Sequence, residues 1–222
     1  MGSIKHLIFD FDGTLADTLP VMIRALGNAF RKHDGRELDF GDFNRMSGPS
    51  ELGIIRLHLQ RQEFADAAIE EFVAEYELYH EEMVEKNEEI ASLLRDLHDA
   101  GAGLALFTGK SRRTLDISLA KLGLALPFDR IVTGDDVAKS KPSPEGILQI
   151  LDALGWNRED TVFVGDSNDD MRAGRDAGVR TFAAQWMPTV QAKEYPIPPE
   201  RVFASLGEFR SYLAEHVPGF LR

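Results

Sequence analysis

Four short segments of this 222-residue chain carry residue types that could act together on phosphorus. Two aspartates, Asp10 and Asp12, follow an apolar run and lead into Gly13-Thr14. A hydroxyl and an amine stand in Thr108-Gly109-Lys110, and two lysines a step apart, Lys139 and Lys141, precede Pro142. A last acidic group lies in Gly165-Asp166-Ser167-Asn168-Asp169-Asp170. Carboxylates gathered at one point raise one another's pKa and cost stability unless a positive charge compensates. Oxygen ligands without His or Cys select a hard divalent cation, and one that keeps waters for a substrate phosphate is Mg²⁺. A lysine and a small hydroxyl beside it suit a phosphoryl group. One Asp can attack phosphorus. A second acid two residues on can protonate the leaving oxygen and later take a proton from water. The chemistry these residues spell is phosphoryl transfer through a covalent intermediate.

Each segment follows a short apolar run. Residues 7–9, 104–107, 130–133, 161–164 and 180–183 are rich in Ile, Val, Leu and Phe and read as strands. Helical patterns at 111–122, 144–154 and 169–177 separate them, with Gly123, Gly155 and Gly178 as stops. This rhythm predicts βαβ units and a parallel sheet covered on both faces. Pro196, Pro198 and Pro199 mark a loop before a last strand at 202–203 and a terminal helix. Ligands bind beyond the carboxyl ends of such strands, which is where the polar segments fall. The expected fold is α/β, a Rossmann-like parallel-sheet core with an inserted all-helical module. The core would comprise 1–16 and 88–222, and the module 17–87.

Within 17–87 the period changes. Leu19, Met22, Ile23, Leu26 and Phe30 mark a helix with Pro20 in its first turn, Asp17 or Thr18 as its cap, and an end near Asp34-Gly35. A second helical run, 52–59, follows the turn Ser47-Gly48-Pro49-Ser50. From 63 to 89 there are eleven Asp/Glu against one Lys. Phe64, Ala68, Phe72, Val73, Tyr76, Tyr79 and Met83 fall at steps of three and four there, which predicts one helix with a buried stripe and a solvated acidic face.

Composition narrows the functional classes. Cysteine is absent, so disulfides, thiol catalysis and Cys-based zinc sites are excluded. Thirty-seven acids against 25 bases give a net charge of −12, which repels nucleic acid. No apolar run approaches the ~18 residues of a membrane span, and no signal-peptide pattern opens the chain. The expectation is a cytoplasmic monomer or homodimer that acts on a small molecule. Three lookalike motifs fail on single residues. Gly109-Lys110-Ser111 has Leu104 where a P-loop needs Gly, and the stretch from Asp166 has Met171 and Ala177 where an EF-hand needs Gly and Glu. His80-Glu81 lacks a second His, since Val84 stands there.

Asp10-Phe11-Asp12-Gly13-Thr14 resembles the first motif of the haloacid dehalogenase superfamily. Thr108, Lys141-Pro142 and the segment from Gly165 to Asp170 are similar to its second, third and fourth motifs, in order. The helical insertion is similar in place to that family's helical cap, as in phosphatases of the phosphoglycolate phosphatase type. The resemblance implies Asp10 as nucleophile and Asp12 as general acid/base. It implies Thr108 and Lys141 on the phosphoryl oxygens, and Mg²⁺ held by the Asp10 side chain, the Asp12 backbone carbonyl and Asp166. Asp170 would ligate through water or orient Lys141. Gly109, Lys110 and the cap loop with Arg45, Ser47 and Gly48 are candidates for holding a small phosphorylated metabolite, Lys110 resembling phosphatases that act on anionic esters. Trp186 reads as core packing. The implied activity is a Mg²⁺-dependent phosphatase, with a pyrophosphatase or a sugar-phosphate mutase as alternatives. Met22 stands where the mutases carry a His, which counts against that last reading.

Overall fold

Residues along β1 (His6–Phe9) point alternately to two apolar layers, and this double burial sets the architecture. The computed structural model describes residues 3–38, 40–46, 48–124 and 128–221, with the backbone alone at 40, 43 and 44. The other strands are β2 (Gly103–Phe107), β3 (Arg130–Val132), β4 (Thr161–Gly165), β5 (Arg180–Ala184) and β6 (Arg201–Phe203). They form one parallel sheet in the order β3-β2-β1-β4-β5-β6, with Phe9 opposite Leu106 on one side and Val164 on the other. Chain order reverses between β1 and β4, which opens a crevice beyond their carboxyl ends.

Both faces are covered, as parallel pairing requires. Ile8, Ala105, Phe107 and Phe163 pack against α7 (Glu145–Leu154) and α8 (Asn168–Ala177). Leu7, Phe9, Leu106 and Val164 belong to the other layer, with α5 (Glu88–Asp99), α6 (Arg112–Leu122) and α9 (Leu206–His216). Trp186 stacks on Phe209 and donates its indole N–H to the Thr14 carbonyl at 2.8 Å, so it packs the core.

Between β1 and β2 lie α1 (Leu19–Asp34), α2 (Phe40–Arg45), α3 (Glu51–His58) and α4 (Ala65–Met83). The short α2 had no counterpart in the sequence pattern, and neither did α5. The acidic run expected as one helix to residue 89 breaks at Val84, which is extended, and α5 starts afresh at Glu88 behind the Asn87 cap. Nor does α1 use either expected cap. Thr18 donates its hydroxyl to Asp12 and Asp17 accepts from Thr189, so both side chains tie the helix start to the core.

Helix α4 packs along α1 and also docks on α6. Its acidic face is largely solvated, as expected, and several of its acids are paired with bases. Glu70 takes a bidentate pair from Arg113 at 2.6 and 2.8 Å, and Glu71 and Glu81 reach Lys32 and Lys121. The buried stripe turns toward α6 at its end and takes in His80 instead of leaving it outside. Tyr76 Oη and His80 Nε2 meet Ser118 Oγ of α6 at 2.7 and 3.0 Å.

Burial, followed by the charges of Lys110 and Lys121, lowers the His80 pKa to about 4. The unfolded chain takes up this proton near 6.5, so native stability falls as pH drops from about 6.5 to about 4. Chemical denaturation of wild type and His80→Gln should show the wild type losing on the order of 2 kcal/mol more than the variant across that window. Parallel pH curves would show that His80 is not held neutral.

Candidate active site

Every polar segment singled out in the sequence emerges at the carboxyl edge of the sheet. Asp10 follows β1 and extends its ladder by donating its N–H to Val164 O at 2.8 Å, which holds the side chain 2% exposed over the crevice. Lys141, from the loop after β3, donates to Asp10 Oδ1 and Asp170 Oδ1, both at 2.7 Å. Ser167 opens α8 with a reciprocal cap, in which its N–H and Oγ reach Asp170 Oδ2 at 3.0 and 2.6 Å. Both Asp170 oxygens are thereby engaged. Asp166, after β4, accepts from Gln191 N at 2.8 Å and Gln191 Nε2 at 3.0 Å.

Gly13 makes this crowding possible. Its φ is +78°, and a Cβ there would lie 2.3 Å from Asp166 Oδ2. No residue with a side chain fits between the two aspartate loops.

Carboxylate oxygens of Asp10, Asp166 and Asp170 all lie within 4.8 Å of one another, and the three residues are buried. Burial pushes Asp10 up to about 7, with Lys141 opposing and Asp170 and Asp12 adding. Burial likewise pushes Asp166 up to about 8, reinforced by Asp170 and Asp10. Lys141 is held well above its ordinary value, since Asp10 and Asp170 outweigh the cost of burying it. One lysine does not balance three buried carboxylates. The donor set is all oxygen and its surplus is negative, which fits a hard divalent cation such as Mg²⁺.

Asp12 lines the same cavity, of about 340 Å³, as Asp10 and Lys141. Its Oδ1 accepts from Lys110 Nζ at 3.1 Å and from Thr18 Oγ1. Lys110 is not free for an anionic ester. Its side chain is fully buried, its amine also pairs with Glu51 at 3.3 Å, and it lies 4.6 Å from the centre of the Tyr76 ring. Asp12, Tyr76 and Glu51 together overcome its burial and keep it charged. Thr108 is fully buried at the end of β2, where its Oγ1 accepts from Lys110 N at 3.2 Å. Gly109 and Gly48 line the cavity.

Arg45 is not brought to this cavity. Its side chain is 70% exposed and pairs with Asp42. Ser47 lies outside the described residues. Met22, expected in the buried stripe of α1, is half-buried: it packs on the core layer and also lines the cavity wall.

Glu51 and Gln191 are not among the residues that the sequence pattern points to, and Glu51 is the more telling of the two. It begins α3 in the inserted helices, yet it accepts from Ser111 N at 2.5 Å and Thr114 Oγ1 at 2.9 Å in the first turn of α6. Beside it Ser50 Oγ donates to Asp135 at 2.7 Å, and Pro49 O sits so near Gly134 that a Cβ there would approach it to 1.9 Å. An acid behind a serine cap reads locally as helix-start chemistry. Only the sheet topology reveals that it serves a second helix.

A family model for haloacid dehalogenase-like hydrolases matches residues 7–184. The chain belongs to this family. It is similar to the pyrophosphatase PpaX of Halalkalibacterium halodurans, 34% identical over 183 residues that cover 80% of this chain and 82% of the relative. The PpaX of Bacillus cereus is 30% identical over 196 residues, covering 86% and 87%. Among solved structures, CbbY from Rhodobacter sphaeroides in complex with phosphate shares the fold, with a TM-score of 0.77 at 24% identity over 93% of this chain and 96% of that one. As a member of this family the chain is a hydrolase. No helix among the described residues is long and apolar enough to cross a membrane.

Removing Glu51 leaves the Ser111 N–H and the Thr114 hydroxyl without their acceptor and Lys110 with one partner fewer. Glu51→Ala should lower the unfolding free energy by about 3 kcal/mol in urea titrations, and Glu51→Gln, which keeps acceptor oxygen, by less. Equal losses for the two variants would show that the hydrogen bonds contribute nothing.

Proposed function

We propose that this hydrolase is a Mg²⁺-dependent phosphatase that cleaves a small phosphorylated metabolite through an aspartyl-phosphate on Asp10. One observation carries the reading. Asp10 meets Lys141 at 2.7 Å in the crevice where strand order reverses, with Asp12 on the wall of the same cavity. Residues 1–16 and 88–222 form the catalytic core in this reading, and 17–87 are a cap over it.

Asp10 attacks phosphorus and the bond to the leaving oxygen breaks. Lys141 holds phosphoryl oxygens, and its charge favours the ionised, nucleophilic form of Asp10. Thr108, at the end of the neighbouring strand, is the hydroxyl for a further phosphoryl oxygen. Asp12 gives its proton to the leaving oxygen and then takes one from the water that cleaves the acyl-phosphate. Lys110 and Thr18 fix the Asp12 carboxyl for both transfers. Asp170 orients Lys141, a role its two engaged oxygens support.

Mg²⁺ would be held by the Asp10 and Asp166 carboxylates and the Asp12 backbone carbonyl, and would supply positive charge against the phosphoryl oxygens. Inserted helices that pack down on α6 limit the entry of water and of macromolecular esters. The PpaX relatives are named as pyrophosphatases, which supports hydrolysis at phosphorus. Met22 offers no proton relay where the mutases carry a His, which favours release of phosphate over isomerisation.

Asp10→Asn should retain the melting temperature and lose at least about a thousandfold in kcat on an aryl phosphate with Mg²⁺. Wild-type turnover in that variant would defeat the assignment. A second outcome follows from the raised carboxyl pKa values. Between the unfolded value near 3.8 and about 7 to 8, the native state binds more protons than the unfolded chain, so native stability without metal falls as pH rises. A cation replaces those protons. The increase in melting temperature on adding MgCl₂, at matched ionic strength, should therefore be larger at pH 8 than at pH 5.5. An equal increase at both would contradict metal binding by this cluster.

A further inference from the structure

We infer that the alcohol released by this enzyme is uncharged and largely apolar, and that it is larger than a two-carbon acid. The inference rests on the phosphatase reading and concerns the part of the substrate beyond phosphorus. The catalytic cavity opens into a cleft of about 920 Å³, with which it shares Leu19, Met22, Met46, Ile54, Asp169 and Gln191. Four of these six present hydrocarbon or thioether surface, one is an amide and one is an acid. That volume is in the range of sites that enclose a drug-sized ligand, far more than a glycolate or a second phosphate needs.

Charge decides the class. Among the described residues that line the cavity and the cleft, the cations are Lys110 and Lys141. Each already lies between two carboxylates, Lys141 between Asp10 and Asp170 and Lys110 between Asp12 and Glu51. Lys110 also packs on the Tyr76 ring, its side chain fully buried. The cap residues whose side chains are not described (Asp39, Phe40, Phe43, Asn44 and Ser47) include no base. A carboxylate or a second phosphate on the leaving group would thus enter beside Asp12 and Asp169 with no cation to meet it. Such an arrangement discriminates against an anion by repulsion and by uncompensated desolvation. Apolar carbon gains instead, by about threefold to fourfold in binding for each methylene buried.

A set of esters with leaving alcohols of similar basicity separates these effects. Ethyl, butyl and hexyl phosphate vary apolar length alone, and phosphoglycolate matches ethyl phosphate in carbon count while adding a carboxylate. Initial rates of phosphate release at fixed Mg²⁺ should give kcat/KM at least tenfold higher for hexyl than for ethyl phosphate. Phosphoglycolate should be at least fivefold poorer than ethyl phosphate, and pyrophosphate poorer again. Met22→Lys and Ile54→Lys each place an amine on the cleft wall, and either one that folds should raise phosphoglycolate relative to ethyl phosphate and flatten the chain-length series. A flat series in the wild type, or a preference for phosphoglycolate or pyrophosphate, overturns the inference and leaves the phosphatase reading standing. If no ester is cleaved, or if Asp10→Asn cleaves them all as wild type does, the phosphatase reading fails and this inference with it.

Discussion

Buried negative charge at the reversal point of the sheet governs this molecule. Parallel pairing forces β1 and β4 side by side, and their next residues, Asp10 and Asp166, are carried into one crevice with Asp170 close behind. Lys141 reaches across from the loop after β3 to bridge two of the three. Water would relieve the remaining repulsion but is largely kept out, so the carboxyls hold on to protons until something positive arrives. Loop composition follows from this constraint. Gly13 must lack a side chain, Ser167 must cap α8 so as to aim Asp170, and Gln191 must turn its N–H toward Asp166.

A second buried charge couples the inserted helices to that crevice. Lys110 touches Asp12 on one side and Glu51 on the other, with Tyr76 beneath it. Thr18, at the point where the chain leaves the core for α1, holds the same Asp12 carboxyl. The Asp12 carboxyl is therefore fixed by Lys110 from the loop after β2, by Thr18 from the segment that leads into α1 and, through Lys110, by Glu51 from the inserted helices. Docking of the inserted helices and placement of Asp12 are parts of one network.

Much of this was legible in the sequence. Strands bounded by turn residues, and the position of each polar segment behind a strand, were enough to place Asp10, Asp166 and Lys141 at one edge of a parallel sheet. Local periodicity failed where a side chain answers to a distant element. Thr18 has the composition of a helix cap, yet its hydroxyl serves Asp12. His80 looks like one more polar residue of an acidic face, but the stripe of α4 bends toward Ser118 and buries it. Lys110 follows Thr108 closely enough to suggest a substrate contact, and only the approach of Glu51 from 59 residues earlier shows where its charge is spent. Gln191 lies in an irregular stretch that gave no signal at all.

The position of Glu51 also bears on how such insertions diversify. This acid completes the first turn of α6 although it belongs to the inserted helices. A chimera that exchanged residues 17–87 for the corresponding helices of another hydrolase would have to bring a carboxylate to the same place, or leave a helix start and a buried amine short of partners. Residues on the cleft wall, such as Met22 and Ile54, carry no such obligation. The cleft wall can change at those positions while the contact between α3 and α6 stays as it is.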